Sequence, residues 1–597
     1  MLGSGMAWRH CRVAASRNMT RLRSHRAFSS APAGLGEKAA GWEYDHDVLV
    51  VGGGIVGCTL ACRLAKDLSS TTPSTRGLPP LSTAKDDGGD NDGGRRRRRR
   101  RPAVGLIEAR PPPSLEAALA RGSPDPRVYS LAPSSVEILG KLGVWDEGGG
   151  VLKGRSQPFG GMQVWDDRGA GHLRFDGEGK GGKTAALGFI SEHGVIHSSL
   201  FERVRELEAD GLAELTCPAQ ARGSNAVKRV TFPPVGAGGA TGPLTVTVET
   251  ASGEISDTTC RLLVAADGGD SKARNRRFYQ RGPKSCACTV AKMMGLSSFG
   301  WGYGQRAVVA TVKLAESHGE VAFQRYLSRG PLAMLPLPGG KLASLVWSTT
   351  PEHAESLKSM STTEFVKEVN DALRLPPTIG TSPSSSAEPA SFSGTVPPFA
   401  GEHGLFGGVS SLAALPFVTA SAIGEGVAKS AEGIAGALAG LSLGLQEGAG
   451  DGGRGGFCTP PEAVEVVTPR LGFDLSLRQA HKYTGDRMAL VGDAAHTVHP
   501  MAGQGLNLGI ADADALARAV LEGRLSGTDV GSKTLLGRYE EERKTEALVM
   551  MGALDVLHRL FGSDARAVAA ARSAGLSALN AAGPLKRRLA RHAMGGK

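Results

Sequence analysis

The sequence predicts a mixed α/β chain: a dinucleotide-binding parallel sheet, an inserted and mostly antiparallel β-sheet, and helices at the C-terminal end. Three observations carry this. Gly52, Gly54 and Gly57 form a Gly-x-Gly-x-x-Gly element that joins an apolar strand pattern to a helical one. Runs such as 307–314 (AVVATVKL) and 342–349 (LASLVWST) alternate as half-buried antiparallel strands do. Beyond Leu508 the pattern is predominantly helical.

The first element needs its context. With 84 glycines in 597 residues, chance alone yields about 1.6 such patterns, and the pattern does recur, at Gly177, Gly179 and Gly182 and at Gly448, Gly450 and Gly453. Both of those lie in polar, Gly-rich loops. Only the first follows a buried-strand run, residues 47–51, and opens a helix, residues 55–68. There the first glycine permits the tight bend, the second lets backbone N–H groups approach a pyrophosphate, and the third lets strand and helix pack closely. The helix N-terminus adds partial positive charge.

The second strand is expected at residues 102–110 (PAVGLIEAR), ending at Glu108, which either accepts hydrogen bonds from a ribose or caps the strand end in solvent. Between helix and strand lies a polar Gly/Pro-rich stretch ending in seven consecutive arginines, Arg95 to Arg101. Its composition cannot bury a core, so it reads as an inserted disordered loop. Two further low-complexity stretches span 381–398 and 420–456.

The charge of +11 and pI of 9.3 suggest a nucleic-acid binder only until the charge is located. Residues 1–36 hold six arginines and no Lys, Asp or Glu, and with the Arg run these account for thirteen positive charges, leaving the remainder at −2. No aromatic residues interleave the Arg run for base stacking, so no nucleic-acid partner is expected. The Arg- and Ser-rich, acid-free start has the composition of an organelle transit peptide. No run is apolar and long enough to span a bilayer. The eight cysteines are scattered, with Cys286 and Cys288 a lone pair, so a reduced compartment and no structural metal are expected.

Two more strand ends carry chemistry. RLLVAADGGDSKARNRR (261–277) places Asp267 and Gly268 at the end of an apolar strand, with Ser271 and Arg274 opening an expected helix. RMALVGDAAHTVHPMAGQGLNLG (487–509) places Asp493 at another, before a Gly-rich turn into a long helix. Open α/β sheets bind ligands at that edge. His496 and His499 could suggest a metal pair or a base, but no further ligand accompanies them, and structural hydrogen bonding is the expectation.

GxGxxG, then DG…S…R, then GD with AGQGxN, in this order, resembles the flavin-dependent aromatic hydroxylases. DPRVYSLAPSSVEILGKLGVWD (125–146), YGQRAVVATVKL (303–314) and RGPLAMLPLPGGKLASLVWST (329–349) are similar to the ubiquinone-biosynthesis monooxygenase branch, as is the C-terminal YEEERKTEALVMMGALDVLHRLF. The resemblance covers most of 44–597; the insertion before Pro102 departs from it. It implies a glutathione-reductase-type FAD domain with an inserted substrate sheet. The implied organisation is a mitochondrial transit peptide (1–36) and an FAD-binding domain in three parts (44–155, with the insertion 69–101; 191–285; 466–530). A substrate domain in two parts (156–190 and 286–465) and a C-terminal helical region (531–597) complete it.

Residue by residue, the resemblance implies that Gly52, Gly54 and Gly57 hold the FAD pyrophosphate, Glu108 the ribose, and Arg127 the cofactor beside the phosphates. Arg127 as a surface ion pair is the alternative. Asp267 and Gly268 fall near the adenosine, Asp493 on the ribityl chain, Pro500 on the flavin face. Gly503, Gln504, Gly505 and Asn507 start a helix aimed at the pyrimidine end of the flavin. The implied chemistry is ring hydroxylation of a polyprenylated hydroxybenzoate-type phenol with O2, through a flavin C4a-hydroperoxide, in a dry pocket with residues 334–338 (MLPLP) as one wall. Electrons would come from a ferredoxin and ferredoxin reductase system. The expected setting is the matrix side of the inner mitochondrial membrane, as a peripheral protein in contact with other ubiquinone-biosynthesis proteins. No catalytic base is assigned. The rivals are a flavin monooxygenase of the same fold acting on another aromatic or lipid, an NAD-dependent dehydrogenase, and a non-catalytic scaffold retaining the fold.

Overall fold

Strand His46–Val51 is buried along almost its whole length and lies at the centre of an eight-stranded sheet. It pairs in parallel with Val104–Ile107 on one side and Ile255–Ala265 on the other. Ala213–Thr216 and Met488–Leu490 extend the parallel part outward. Continuous Val/Leu/Ile runs suit this place, because helices cover both faces of a parallel sheet. The strands are those of the computed structural model, which describes residues 44–70, 102–146, 151–177, 185–217, 227–232, 242–249, 253–268, 289–376, 456–500, 503–563, 565–582 and 586. The strands and helices all belong to one compact unit, Tyr44–Pro233 with Pro243–Lys597. The segment 1–36, residues 71–101, Ser271, Arg274, Cys286, Cys288 and nearly all of the low-complexity stretches lie outside the described residues.

Helix Ile55–Ser70 packs between helices His193–Ala209 and Gln504–Ser526. The glycines make the packing close: a Cβ on Gly57 would lie 1.8 Å from the Gly52 carbonyl oxygen, and one on Gly509 would lie 2.6 Å from Val56. Helix Pro133–Leu142 shows how the local sequence sets its ends. Pro133 opens it with a pre-set φ, and Gly143 closes it at φ +83° in the left-handed region.

The second sheet has nine strands and is mostly antiparallel. Its spine runs Leu471–Ala480, Ser298–Leu314, Leu342–Thr349, Gly330–Leu337, Val321–Leu327, Gly161–Asp166, His172–Asp176. The two alternating runs pair with each other, Val308 opposite Trp347 and Val312 opposite Ala343. They are buried on both faces rather than half-buried. Helices Pro351–Ser359 and Thr362–Arg374 cover one face with Leu357, Phe365, Val369 and Leu373, and the other face fronts a cavity. Strand Leu471–Ala480 was expected in the third part of the FAD domain; it joins this sheet instead, along Ser298–Leu314. Its alternating side chains complete that surface, and the chain returns to the parallel sheet only at Thr484–Gly485. A three-stranded sheet of Val128–Leu131, Gly188–Glu192 and Gln157–Phe159 bridges the two large ones.

The C-terminal helices Lys533–Gly562 and Arg566–Ala581 brace both sheets. The Tyr539 hydroxyl donates to the Leu490 carbonyl at 2.7 Å on the parallel side. Phe561 stacks on Tyr326 at 3.8 Å, and Arg572 donates to Asp166 at 2.7 Å in a fully buried ion pair, on the antiparallel side. No helix among the described residues is long and apolar enough to cross a membrane.

Candidate active site

A cavity of about 580 Å³ lies where the C-terminal strand ends of the parallel sheet meet the antiparallel sheet. Nine of the thirteen residues singled out from sequence line it: Gly54, Arg127, Gly268, Asp493, Pro500, Gly503, Gln504, Gly505 and Asn507. Gly52, Gly57, Glu108 and Asp267 lie behind its wall. The opposite wall is apolar and comes from the second sheet, with Ala322, Ala333, Leu335 and Val346 among its residues. Leu335 is the contribution of the 334–338 segment; its neighbour Met334 packs into the core instead.

The glycine loop is shaped by close approach. Gly52 sits at φ +106°, and a Cβ there would fall 2.5 Å from the Ala266 carbonyl, so the end of His46–Val51 can lie against the end of Ile255–Ala265 only with glycine. Gly54, by contrast, has open space where its side chain would be; it leaves the backbone bare to a ligand. Glu108 accepts hydrogen bonds from the backbone N–H groups of Gly53 (2.5 Å) and Arg110 (2.6 Å). The carboxylate thus ties the loop to the second strand, and its remaining lone pairs can still accept ribose hydroxyls. Behind the wall, Asp267 accepts from the Val290 N–H at 3.3 Å.

Two helix N-termini open onto this one cavity. Gly54, Ile55 and Val56 line it at the start of Ile55–Ser70, and Gly503 to Asn507 at the start of Gln504–Ser526. Gly503 stands at φ +62° as the N-cap and brings no capping side chain to this helix start, whose partial positive charge favours an anion. Asn507 is used differently. Its Oδ1 accepts from Ala132 N–H (2.9 Å) and the Ser135 hydroxyl (2.8 Å), and its Nδ2 donates to the Ser130 carbonyl (2.8 Å). It fastens the bridging sheet to the helix start.

Asp493 projects into the cavity from the 3-10 turn Gly492–Ala494. Its carboxyl meets cavity space rather than bulk water, and burial raises its pKa above the usual carboxylate range, with His496 and Arg478 opposing. A buried cluster fixes the turn from behind. His496 Nε2 donates to Asp512 Oδ2 at 2.6 Å, Arg543 Nε donates to Asp512 Oδ1 at 2.8 Å, and the Gly492 N–H donates to Asp512 at 3.0 Å. Burial works to raise the Asp512 pKa, but His496 and Arg543 outweigh it and hold the carboxylate low. His499 hydrogen-bonds Gln305 at 3.3 Å within a ring cluster of Tyr303 and His558. Burial, then His558, pushes its pKa down to about 3.

Two cavity residues went unnoticed in the sequence. Tyr129 and His193 both line it, their rings 5.7 Å apart. Burial, then Asp493, pushes the Tyr129 phenol up to about 12, so it stays a donor. Burial, then Arg127, pushes His193 down to about 4, so it stays neutral, and its Nδ1 is buried with no hydrogen-bond partner among the described residues. One turn on, His197 Nε2 donates to the Gly53 carbonyl at 2.7 Å. The HGVIH spacing (i, i+4) was the one signal for this pair.

An anion cradle between two helix starts, a bare glycine, Arg127 and an aligned carboxylate fits FAD, whose pyrophosphate and ribityl chain need such partners. The comparisons agree. A sequence model of the FAD binding domain family matches residues 459–552. The chain is similar in structure to p-nitrophenol 4-monooxygenase PnpA from Pseudomonas putida (TM-score 0.53, 15% identity, 92% of this chain and 98% of that one). It is similar to pqsL from Pseudomonas aeruginosa as well (TM-score 0.50, 18% identity, 89% of this chain and 99% of that one). These likenesses show a shared α/β fold. The family model and the site together define an FAD-binding protein of this fold.

Sequence relatives narrow this. The chain is 31% identical over 549 residues to the mitochondrial ubiquinone biosynthesis monooxygenase COQ6 of Xenopus tropicalis (91% of this chain, 92% of that protein) and 30% identical over 547 residues to that of Homo sapiens (91% of each). It is 27% identical over 573 residues to the ubiquinone hydroxylase UbiL of Rhodospirillum rubrum (95% of this chain, 94% of that protein). The chain belongs to the COQ6 family of ubiquinone biosynthesis monooxygenases.

Proposed function

We propose that this protein hydroxylates the aromatic ring of a polyprenylated hydroxybenzoate-type phenol, with FAD and O2, in mitochondrial ubiquinone biosynthesis. One observation carries the reading: a single cavity joins the cofactor cradle to an apolar wall supplied by the second sheet. A ring seated against that wall lies within reach of a flavin held at the other. Reduced FAD supplies the activation of oxygen; the residues supply the rest. On the glutathione-reductase-type arrangement, Gly52, Gly54 and Gly57 shape the pyrophosphate turn, Glu108 takes the adenosine ribose, and Asp267 and Gly268 flank the adenosine. Arg127 neutralises charge beside the phosphates, and Asp493 accepts from the ribityl chain. Pro500 lies along the flavin face. The N-terminus of Gln504–Ser526 stabilises negative charge on the reduced ring. Ala322, Ala333, Leu335 and Val346 exclude water, which protects reactive oxygen species from unproductive decay. Tyr129 stays protonated and His193 neutral at physiological pH, so the cavity offers hydrogen bonds without a mobile proton.

The electron donor on this reading is a ferredoxin with its reductase, and the setting is the matrix face of the inner membrane beside other ubiquinone-biosynthesis proteins. The test is incubation of the FAD-loaded protein with reduced ferredoxin, O2 and a prenylated hydroxybenzoate, followed by mass analysis. Gain of one oxygen atom, from labelled O2, with the prenylated substrate preferred over its unprenylated parent, is expected. A bound, reducible flavin that yields only hydrogen peroxide with prenylated phenols would overturn the reading.

A further inference from the structure

Helix Lys533–Gly562 changes character halfway along one face. At 3.6 residues per turn, Arg538, Glu542, Glu546, Val549, Ala553, Val556, Leu557 and Leu560 fall within one arc about 100° wide, whose first turns also carry the buried Leu535 and Tyr539. The first three are charged, as a solvent-facing arc should be. The last five are apolar, yet they stand in solvent: Val549 is 62% exposed, Val556 60%, and Leu557 and Leu560 37% each. Val549 and Val556 add little to the helix's own packing. Leu554, Met551 and Phe561 already bury its opposite side against the antiparallel sheet. The following helix also exposes apolar residues, Ala567, Ala570, Ala571 and Ala578.

The charge in this part of the chain is mostly of one sign. Residues 549–597 contain eight Arg or Lys and two acids, Asp555 and Asp564. Arg572 is taken up internally by Asp166, and Arg559 by Asp555; Arg566 and Lys586 stand among the remainder. An apolar strip edged by cations is the arrangement that an anionic lipid surface attracts and then holds. Its position bears on the site. The Arg174 N–H donates to Asn580 of the last helix at 3.1 Å, and the Gly171 N–H donates to Ser573 at 2.7 Å. Phe175, next along that strand, lines the apolar end of the cavity with Phe159, Met162 and Leu187.

We propose that the outer face of the C-terminal helix pair docks the protein on an anionic membrane surface, with Val549, Val556, Leu557 and Leu560 inserted and Arg566 and Lys586 against headgroups. This sets the strand edge that carries Phe175, and with it the apolar end of the cavity, beside the lipid. The cavity's part in this rests on the prenylated-substrate reading above; the docking face itself does not.

Flotation of the full chain with vesicles tests this without substrate. The parent should float with vesicles of phosphatidylcholine plus about one-fifth cardiolipin, and less with phosphatidylcholine alone or at high salt. A Val549→Glu, Val556→Glu double variant should lose at least tenfold in vesicle partitioning while keeping parental FAD content, because both side chains are mostly in solvent. Glu546→Ala, on the same arc in the charged half, should bind at least as well as the parent. Equal flotation of parent and double variant would overturn the proposal. So would a parent that ignores cardiolipin vesicles but forms a dimer that the double variant abolishes, which would assign the face to a second copy of the chain. Failure of hydroxylation in detergent with intact flotation would instead count against the substrate reading alone.

Discussion

The two walls of the cavity are built on opposite rules. On the parallel-sheet side, groups are held by backbone contact and hydrogen bonds: Gly57 leaves 1.8 Å where a Cβ would stand, and Asp512 fixes the Asp493 turn through three donors. On the antiparallel side, Ala322, Ala333, Leu335 and Val346 present methyl groups whose only property is volume. The first kind of wall recognises one ligand and tolerates little. The second sets the size and dryness of a space and tolerates much. Cofactor retention and substrate acceptance are therefore separable by mutation.

The largest expected effect is at the glycine turn. Gly57→Val has nowhere to place its side chain unless the loop moves off the strand end, so loss of bound FAD and of about 3 kcal/mol or more is expected, read by flavin stoichiometry and thermal unfolding. Next comes Asp512→Asn. It leaves the Arg543 guanidinium buried with its main anion gone, at a cost of about 3–5 kcal/mol in urea unfolding. Because the Asp512 pKa is lowered by folding, its contribution is fully present above the usual carboxylate pKa and fades as pH falls through the lower folded value. The variant should thus lie furthest from the parent at neutral pH and approach it in acid.

A third substitution separates the walls. Ala333→Phe fills cavity space on the methyl side, so FAD content should stay at the parental level while hydroxylation of a prenylated ring drops at least tenfold. Equal loss of both would merge the two walls into one. The smallest effect is a pH slope. Folding depresses His193 to about 4 and His499 to about 3, so the unfolded chain binds their protons first. The stability that holds with both rings neutral is complete above about pH 6.5 and is lost as pH falls toward 4. Replacing His193 by Gln should flatten that part of the stability profile by about one proton.

What could be read from the sequence follows the same division. Gly52, Gly54, Gly57 and Asp493 were legible because strand-end chemistry is local: a bend, a bare backbone and a carboxylate lie within a few residues of one another. The paired runs 307–314 and 342–349 were legible as strands from their alternation, but not their burial on both faces, since helix Thr362–Arg374 covers one of them from elsewhere in the chain. Asp512 and Arg543 lie 31 residues apart on different helices, and nothing in their spacing announces a contact. Leu471–Ala480 sat next to a cofactor motif in sequence yet completes the other sheet, because pairing along Ser298–Leu314 is decided by long-range register. Tyr129 had no signal at all.

The most direct test is the absorption spectrum of the purified protein beside that of Asp493→Ala. The parent should carry oxidised-flavin bands with FAD near one per chain. The variant should stay folded, by circular dichroism, and bind FAD at least tenfold more weakly, since the carboxyl proposed to accept from the ribityl chain is gone. A variant that keeps FAD at parental affinity would contradict the assignment of this cavity to the cofactor.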